Sequence, residues 1–556
     1  MTALVELRIL EGPNLYFPRA AVKLTLDLAG LASAPEAEVR DFGTALGLTG
    51  VRPGSPESVF RQRAVMRLAE HLVRRIAGGA GTTRLAVRVR STADAQQVVV
   101  AYPWRDRNRA RALGEAVATV LDRGVTALGD AVGYVASTAK GPGPTTLRPT
   151  VPVVAVTGTN GKTTTSRMIA HIARESGLHV GWSNTDGIYV DGVLVEAGDY
   201  SGPSGAGCVL ARPEVQFAVT ETARGGILLK GIGVAYNDVS VVTNVTADHL
   251  GLQGIDTVDQ LAEVKGVVPR ITRKTGWAVL NADDPRVLAM RAITRAQPWI
   301  FTRDPDSPAI RDVLAHGGRA TTVMDGWLTV LRPGEELDLL VEIVEVPMTL
   351  AGLSRFNVEN ALAAASAALA AGLGRADVID GLRSFLPDVA HNPGRMNCFT
   401  LDDVSVVVDL AHNEAGLEAL LEVLHGLVAP GARVLLGLGV VGDRTDELIT
   451  ELAEIAAKGA DVVVIGHKQH YLRGRSTEEL DALMRTGAAR VGVDDLPSYP
   501  TELVSLEALT SQAKPGDAVG LMCHAERVEV LDWIARRGGK PDTLEDLREK
   551  VRRASG

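Results

Sequence analysis

Along residues 151–172 the hydrophobic pattern changes its period. Val151, Val153, Val154 and Val156 form a short β-branched run that predicts a buried strand. Beyond a glycine-bracketed turn, Met168, Ile169 and Ile172 recur at helical spacing. Apolar runs that end in polar residues return at 215–221 (V-Q-F-A-V-T-E) and 239–244 (V-S-V-V-T-N). Further on, strands are predicted at 404–409, 434–438 and 461–466, with helices at 415–427 and 446–457 between them. Strands that alternate with helices in this way predict α/β units with mostly parallel sheets.

The first part of the chain reads differently. An alternating start, a helical stretch at 58–76 and strands at 84–90 and 97–102 predict an α+β unit over residues 1–136. Residues 137–150, S-T-A-K-G-P-G-P-T-T-L-R-P-T, are rich in Pro, Gly and Thr and read as a linker. Two α/β units are expected after it, 151–393 and 394–556.

At 556 residues the chain has length for several domains, and 46% hydrophobic with 22% charged residues is an ordinary globular balance. Cys208, Cys398 and Cys523 lie far apart, which indicates neither a disulfide framework nor a zinc site and leaves them as expected core thiols. The opening M-T-A-L-V-E-L-R lacks a signal-peptide apolar region, and no run of eighteen apolar residues occurs. A cytoplasmic protein without membrane partners is the expectation. A net charge of −9 without a long basic stripe argues against nucleic acid as a partner.

The strand–turn–helix at V-T-G-T-N-G-K-T-T-T (156–165) is where chemistry is most constrained. Gly158, Thr159, Asn160 and Gly161 would offer backbone N–H groups at a helix N-terminus. Lys162 adds a point charge, Thr163 can hold a magnesium ion, and Thr164 follows in the first turn. A nucleoside triphosphate and magnesium are therefore expected. Downstream, Glu221, Arg224 and the glycines after it follow one apolar run, and Asn244, Asp248 and His249 follow another. In open parallel sheets ligands bind outside the carboxyl ends of strands, so these groups would converge beside the triphosphate.

The short T-G-T-N-G-K-T-T loop resembles that of the Mur ligase superfamily, which joins amino acids to carboxylates at the expense of ATP. N-V-T-A-D-H-L-G (244–251), followed by Q-L-A-E-V-K (260–265), is similar to the N-I-x-x-D-H-L-D word and downstream lysine of that family. The resemblance implies that Thr163 and Glu221 hold one magnesium ion. It implies that His249 and Lys265, the latter carbamylated, hold another, with Lys162, Glu221, His249 and Lys265 catalytic. T-D-G-I-Y-V-D-G (185–192), G-D-Y-S-G-P (198–203), E-T-A-R-G-G-I-L (221–228) and R-I-L-E-G-P-N (8–14) resemble the cyanophycin synthetase branch. In that branch an ATP-grasp domain lengthens an aspartate backbone, and the Mur-like half attaches arginine or lysine to the aspartate side chain. Here the 137–150 segment stands where the ATP-grasp domain would be. Only the second chemistry is expected, with a separate ATP-grasp enzyme as a conceivable partner.

The last unit fits the same resemblance. N-P-G-R-M-N (392–397) is similar to the family's hinge word, which brings in Arg395. V-V-D-L-A-H-N (407–413) is similar to D-Y-A-H-N-P, which places Asp409, His412 and Asn413 with Asn244 at the nucleotide. Leu410 and Glu414 depart from that word. Thr185, Asp186, Arg224, Asp443, Arg444, Arg473 and Arg475 are assigned to substrates. The fold implied is a Mur-ligase-like central P-loop α/β domain and a C-terminal Rossmann-like α/β domain, in a homo-oligomer. Two rivals stand beside the ligase reading. One is a non-catalytic nucleotide-binding scaffold. The other is a nicotinamide-dependent oxidoreductase using G-L-G-V-V-G (437–442), although Asp461 precedes its strand instead of ending it.

Overall fold

The computed structural model describes residues 3–248 and 250–555. The N-terminal unit is a four-stranded antiparallel sheet of β1 (Leu4–Leu10), β2 (Ala21–Asp27), β3 (Arg88–Ser91) and β4 (Gln97–Pro103), in the order β1-β2-β4-β3. Helices α1 (Val59–Gly79) and α2 (Arg107–Arg123) cover one face. Strict alternation along β4 sends Val98, Val100 and Tyr102 toward those helices. Val99 and Ala101 face the other way, toward the next unit. The third strand begins later than the 84–90 expectation, at Arg88.

The central sheet has eleven strands. Its core is β5 (Val153–Thr157), β6 (Val180–Ser183), β9 (Phe217–Glu221), β10 (Asn237–Val242), β11 (Thr272–Asn281), β12 (Gln297–Phe301) and β13 (Arg319–Met324), all parallel. Antiparallel strands extend both edges: β7 (Gly187–Val190) and β8 (Val193–Ala197) on one, β14 (Trp327–Leu331) and β15 (Asp338–Glu342) on the other. Helices α3 (Lys162–Glu175), α4 (Arg224–Leu229), α5 (Val258–Lys265), α6 (Arg355–Ala370) and α7 (Arg375–Ser384) flank the sheet. The C-terminal sheet has five parallel strands, with β20 (Ser498–Tyr499), β19 (Val462–Gly466), β18 (Val434–Leu438), β21 (Ala518–Met522) and β17 (Val404–Asp409) side by side. Antiparallel β16 (Asn397–Leu401) and β22 (Lys540–Pro541) close one edge. Its helices include α8 (Glu414–Leu427), α9 (Asp446–Gly459), α10 (Glu502–Gln512) and α11 (Arg527–Arg536). Mixed α/β layers with parallel sheets are what the alternating pattern predicted.

The Pro/Gly segment after Ser137 is pinned instead of slack. Leu147 N–H donates to Gly233 O and Ala235 N–H to Leu147 O, at 2.9 and 2.8 Å. Gly141 N–H donates to Asp106 Oδ1 at 2.9 Å. Prolines that cannot pair within a sheet still leave neighbouring amides free to dock on a surface. Cys398 and Cys523 are buried, whereas Cys208 is only half-buried, and all three are free thiols. Among the described residues no helix is long and apolar enough to cross a membrane.

Candidate active site

Three neighbouring parallel strands, β10, β5 and β9, end side by side, so the loops after them meet. The loop after β5 needs its glycines. Gly158 has φ +153° and a Cβ there would lie 1.8 Å from Thr243 Oγ1. Gly161 has φ +82° and a Cβ would lie 2.3 Å from Asn360 Oδ1. Gly161 starts α3, whose first turn has no side-chain cap, so its amides face a cavity of about 450 Å³ lined by residues 158–164. Lys162 Nζ donates to Thr159 O at 2.8 Å and holds its charge over the loop.

Glu221 is the last residue of β9, in register with Val156 on β5. Thr163 Oγ1 donates to Glu221 Oε2 at 2.8 Å, while the buried Oε1 has no hydrogen-bond partner among the described residues. Burial pushes the carboxyl group up, against the opposing pull of Lys162 and Arg395. An orphaned carboxylate oxygen beside a threonine hydroxyl is a donor set of hard oxygens, and it suits a magnesium ion that keeps several waters. Lys265 comes in from α5, is buried, and donates from Nζ to Gly158 O at 2.6 Å. Burial drives its amine well below the usual lysine range. His249 lies outside the described residues.

The C-terminal unit forms the opposite wall with Arg395, Met396, Asp409, Leu410, Ala411 and His412. Arg395 donates to Thr185 Oγ1 at 3.2 Å, and Met396 N–H donates to Asp409 Oδ2 at 2.9 Å. Burial raises the Asp409 carboxyl. His412 pairs Nδ1 with Leu410 O at 3.0 Å, and burial pushes it down to about 4, so it is neutral near pH 7. Asp248 lies 4.0 Å from His412 and 3.1 Å from Arg444, across the seam between the two units.

Several expected residues do other work. Asp186 does not line the cavity; its carboxylate is held by Arg167 at 3.0 Å and Arg527 at 2.8 Å, and ties the central unit to α11. Asn244 stands behind the phosphate loop, accepting from Asn160 N–H at 2.8 Å. Asp443 and Arg473 are exposed, and neither lines the cavity. Arg475 donates to Gly442 O and Arg444 O at 3.0 Å each and pairs with Asp446, so it braces its own loop. The glycines of 437–442 are filled from behind, since a Cβ on Gly442 would sit 1.9 Å from Leu472 O and one on Gly439 2.5 Å from Lys468 Cε. Asp461 caps the far end of its strand by accepting from Val434 N–H at 2.8 Å. Asp461 is thereby engaged at the opposite end of the strand from where a ribose-binding acid would sit.

Residues 156–368 match the Mur ligase middle domain, and residues 394–523 match the Mur ligase glutamate ligase domain. These two regions are Mur ligase domains. It is 42% identical over 375 residues to cyanophycin synthetase of Crocosphaera subtropica, an overlap of 67% of this chain and 42% of that protein. It is 28% identical over 389 residues to the UDP-N-acetylmuramoyl-L-alanyl-D-glutamate–2,6-diaminopimelate ligase of Geobacillus kaustophilus, over 66% of this chain and 72% of that one. The chain thus spans about two fifths of the length of the cyanophycin synthetases it matches. A crystal structure of bifunctional folylpolyglutamate synthase/dihydrofolate synthase, with Mn, AMPPNP and L-glutamate bound, shares the fold. Its TM-score is 0.51 at 18% identity, over 70% of this chain and 90% of that one.

The Mur ligase motifs did not reveal every group at the cavity. Asn357 and Asn360, at the start of α6, line it too. Asn360 accepts from Thr165 Oγ1 at 3.1 Å and is the side chain that Gly161 leaves room for. Asp199, in the 198–203 word, reaches the cavity and accepts from Ser201 Oγ at 2.6 Å. Polar residues at i and i+3 on an otherwise alanine-rich, buried helix (S-R-F-N-V-E-N, then A-L-A-A-A) were the available signal for the asparagine pair.

Proposed function

We propose that this chain is an ATP-dependent carboxylate–amine ligase that works through an acyl phosphate and releases ADP. The substrates we infer are an aspartate-type carboxylate, on a small molecule or a peptide, and a basic amino acid, arginine or lysine. The observation that carries the ligase reading is the orphaned Oε1 of Glu221 beside Thr163, at an uncapped helix N-terminus, with Arg395 across the cavity. The substrate choice leans on the cyanophycin synthetases that the chain resembles. A separate ATP-grasp enzyme is the partner that would supply a lengthened aspartate backbone.

In the first step an acceptor carboxylate oxygen attacks the γ-phosphorus of ATP and the bond to the bridging oxygen breaks, leaving ADP and an acyl phosphate. Two anions must meet, so the α3 amides, Lys162 and Arg395 neutralise charge on the transferring group. Magnesium held by Thr163 and Glu221 would add charge neutralisation at the phosphates. In the second step a neutral amine attacks the acyl carbon, phosphate leaves, and the amine proton passes to solvent. The C-terminal wall with Arg395, Leu410 and His412 excludes water from the acyl phosphate and holds the amine close. The apolar surface of Met348, Phe356, Leu410, Ala411 and Ala419 suits the nucleoside.

A matrix of candidate carboxylates and amino acids with ATP and magnesium, read by phosphate release and product mass, tests this. The expected product has the mass of acceptor plus amine minus water, with ADP formed. AMP and pyrophosphate would instead indicate an acyl adenylate and reject the mechanism.

A further inference from the structure

The short helix α5 carries Lys265 at its last position and has eight residues, too few to be stable alone. A capping box between Thr257 and Gln260 starts it, and Leu261, Val264 and Lys265 face inward. Its outward side is gripped by another unit of the chain. Arg90, on β3 of the N-terminal sheet, makes a two-pronged pair with Glu263: Nη1 donates to Oε2 at 2.7 Å and Nη2 donates to Oε1. The Arg90 guanidinium also stands over the Tyr16 ring, 5.7 Å from its centre. Beneath the helix, Leu10, Leu15, Phe17, Val99 and Ala101 of the N-terminal unit share one apolar cluster with Leu261 and Val264. One helix therefore meets the phosphate loop through Lys265 and the N-terminal sheet through Glu263.

We propose that Arg90 is a positioning residue for Lys265, acting through Glu263 to fix the α5 backbone so that the Lys265 amine meets the Gly158 carbonyl. This rests on the ligase reading for its kinetic consequence only. Glu263 and Lys265 stand two positions apart on the helix, so they point to opposite sides of it. A pull on one side sets the rotation of the other. The pair is about two-fifths exposed at each end, so its contribution to overall stability is small. Its effect lies in where α5 sits. A sub-ångström shift in a group beside a transferring phosphoryl lowers turnover without lowering affinity for ATP.

The test compares the full-length chain with Arg90→Met, which keeps the apolar stem over Tyr16, with Glu263→Gln, and with the exchanged pair Arg90→Glu/Glu263→Arg. Hydrogen exchange of residues 258–265 and labelling of Lys265 by an amine-reactive reagent, both read by peptide mass, need no turnover. Faster exchange confined to α5 and greater Lys265 labelling are expected in both single variants, with recovery in the exchanged pair. With substrates, kcat should fall by about tenfold while KM for ATP stays within about twofold. Unchanged exchange and labelling in Arg90→Met would overturn the proposal, as would losses that the exchanged pair fails to restore. If wild type proves inactive with every substrate, the ligase reading fails while the exchange and labelling results still decide this one.

Discussion

Asn160 in the phosphate loop and Asn413 at the start of α8 exchange amide hydrogen bonds, Nδ2 to Oδ1, at 3.3 and 3.1 Å. Asn413 also caps α8 by accepting from Gly416 N–H at 2.9 Å. The loop that would cradle phosphate is thereby fastened to the unit that faces it. With the Asp248–Arg444 and Asp186–Arg527 pairs, this makes the closed seam a polar one.

Asn413→Ala removes both the cap and the cross-seam pair. A stability loss of about 1–2 kcal/mol is expected from the missing cap and hydrogen bond, with KM for ATP raised. Asn413→Asp keeps the cap and loses one donor, so it should be milder in both respects. Urea unfolding and steady-state kinetics separate the two effects, and an unchanged KM in Asn413→Ala would detach the seam from nucleotide binding.

Lys162→Ala should lower ATP-dependent turnover by about 10²–10³-fold, the usual cost of removing one preorganised charge at a developing anion. Its ammonium donates to the Thr159 carbonyl and packs into no core cluster among the described residues, so the melting temperature should move little. Near wild-type phosphate release from this variant would mean that the transfer site lies elsewhere.

Lys265→Ala should be nearly inactive. The buried amine is pushed toward its neutral form, which is the form that adds carbon dioxide. Stripping carbon dioxide from the buffer should slow the wild type, and acetate should partly restore the variant. Full activity in the variant, or wild-type turnover indifferent to carbon dioxide, would reject a carbamylated lysine.

Acid should weaken the packing of α3 against α7. Burial pushes His171, bonded to Ser384 at 2.8 Å, down to about 4. Unfolded, it takes a proton near pH 6.5; folded, it waits until about 4. Its contribution is therefore complete above pH 6.5 and is lost as pH falls toward 4, on the order of 2–3 kcal/mol at the end. Glu359, raised to about 7 chiefly by burial, works in the opposite sense, so the wild-type profile alone is ambiguous. The difference profile is not: His171→Gln should show a shallower loss between pH 6.5 and 4 in thermal melts. Parallel profiles for the two proteins would contradict this.

What could be read from the sequence follows from range. Strand β5, its glycine loop and α3 are one continuous segment in which period and turn chemistry agree. The run 404–409 appears as β17 with those same ends. Asp186 looked like a substrate contact because its partner Arg527 lies 341 positions away and nothing local announces the pair. Arg475 looked equally free, yet its guanidinium is spent on carbonyls of its own loop. Asn360 was missed for the converse reason: beyond its spacing from Asn357, its place is marked by the side that Gly161 leaves empty. Motif words contain Asn160, Asp186, Asp248 and Asn413, but no word says which residue each one meets across the seam.

The loop at Leu15–Phe17, buried against α4 and α5, has a bearing on how the molecule comes apart. Glu11 N–H donates to Lys230 O and Ile232 N–H donates to Pro13 O, both at 2.7 Å, so backbone as well as side chains crosses that boundary. Nicking the chain between residues 138 and 150 would leave two fragments that stay associated. A calorimeter should then record the N-terminal and central units melting in one joint transition, because neither can shed the other without baring oil to water.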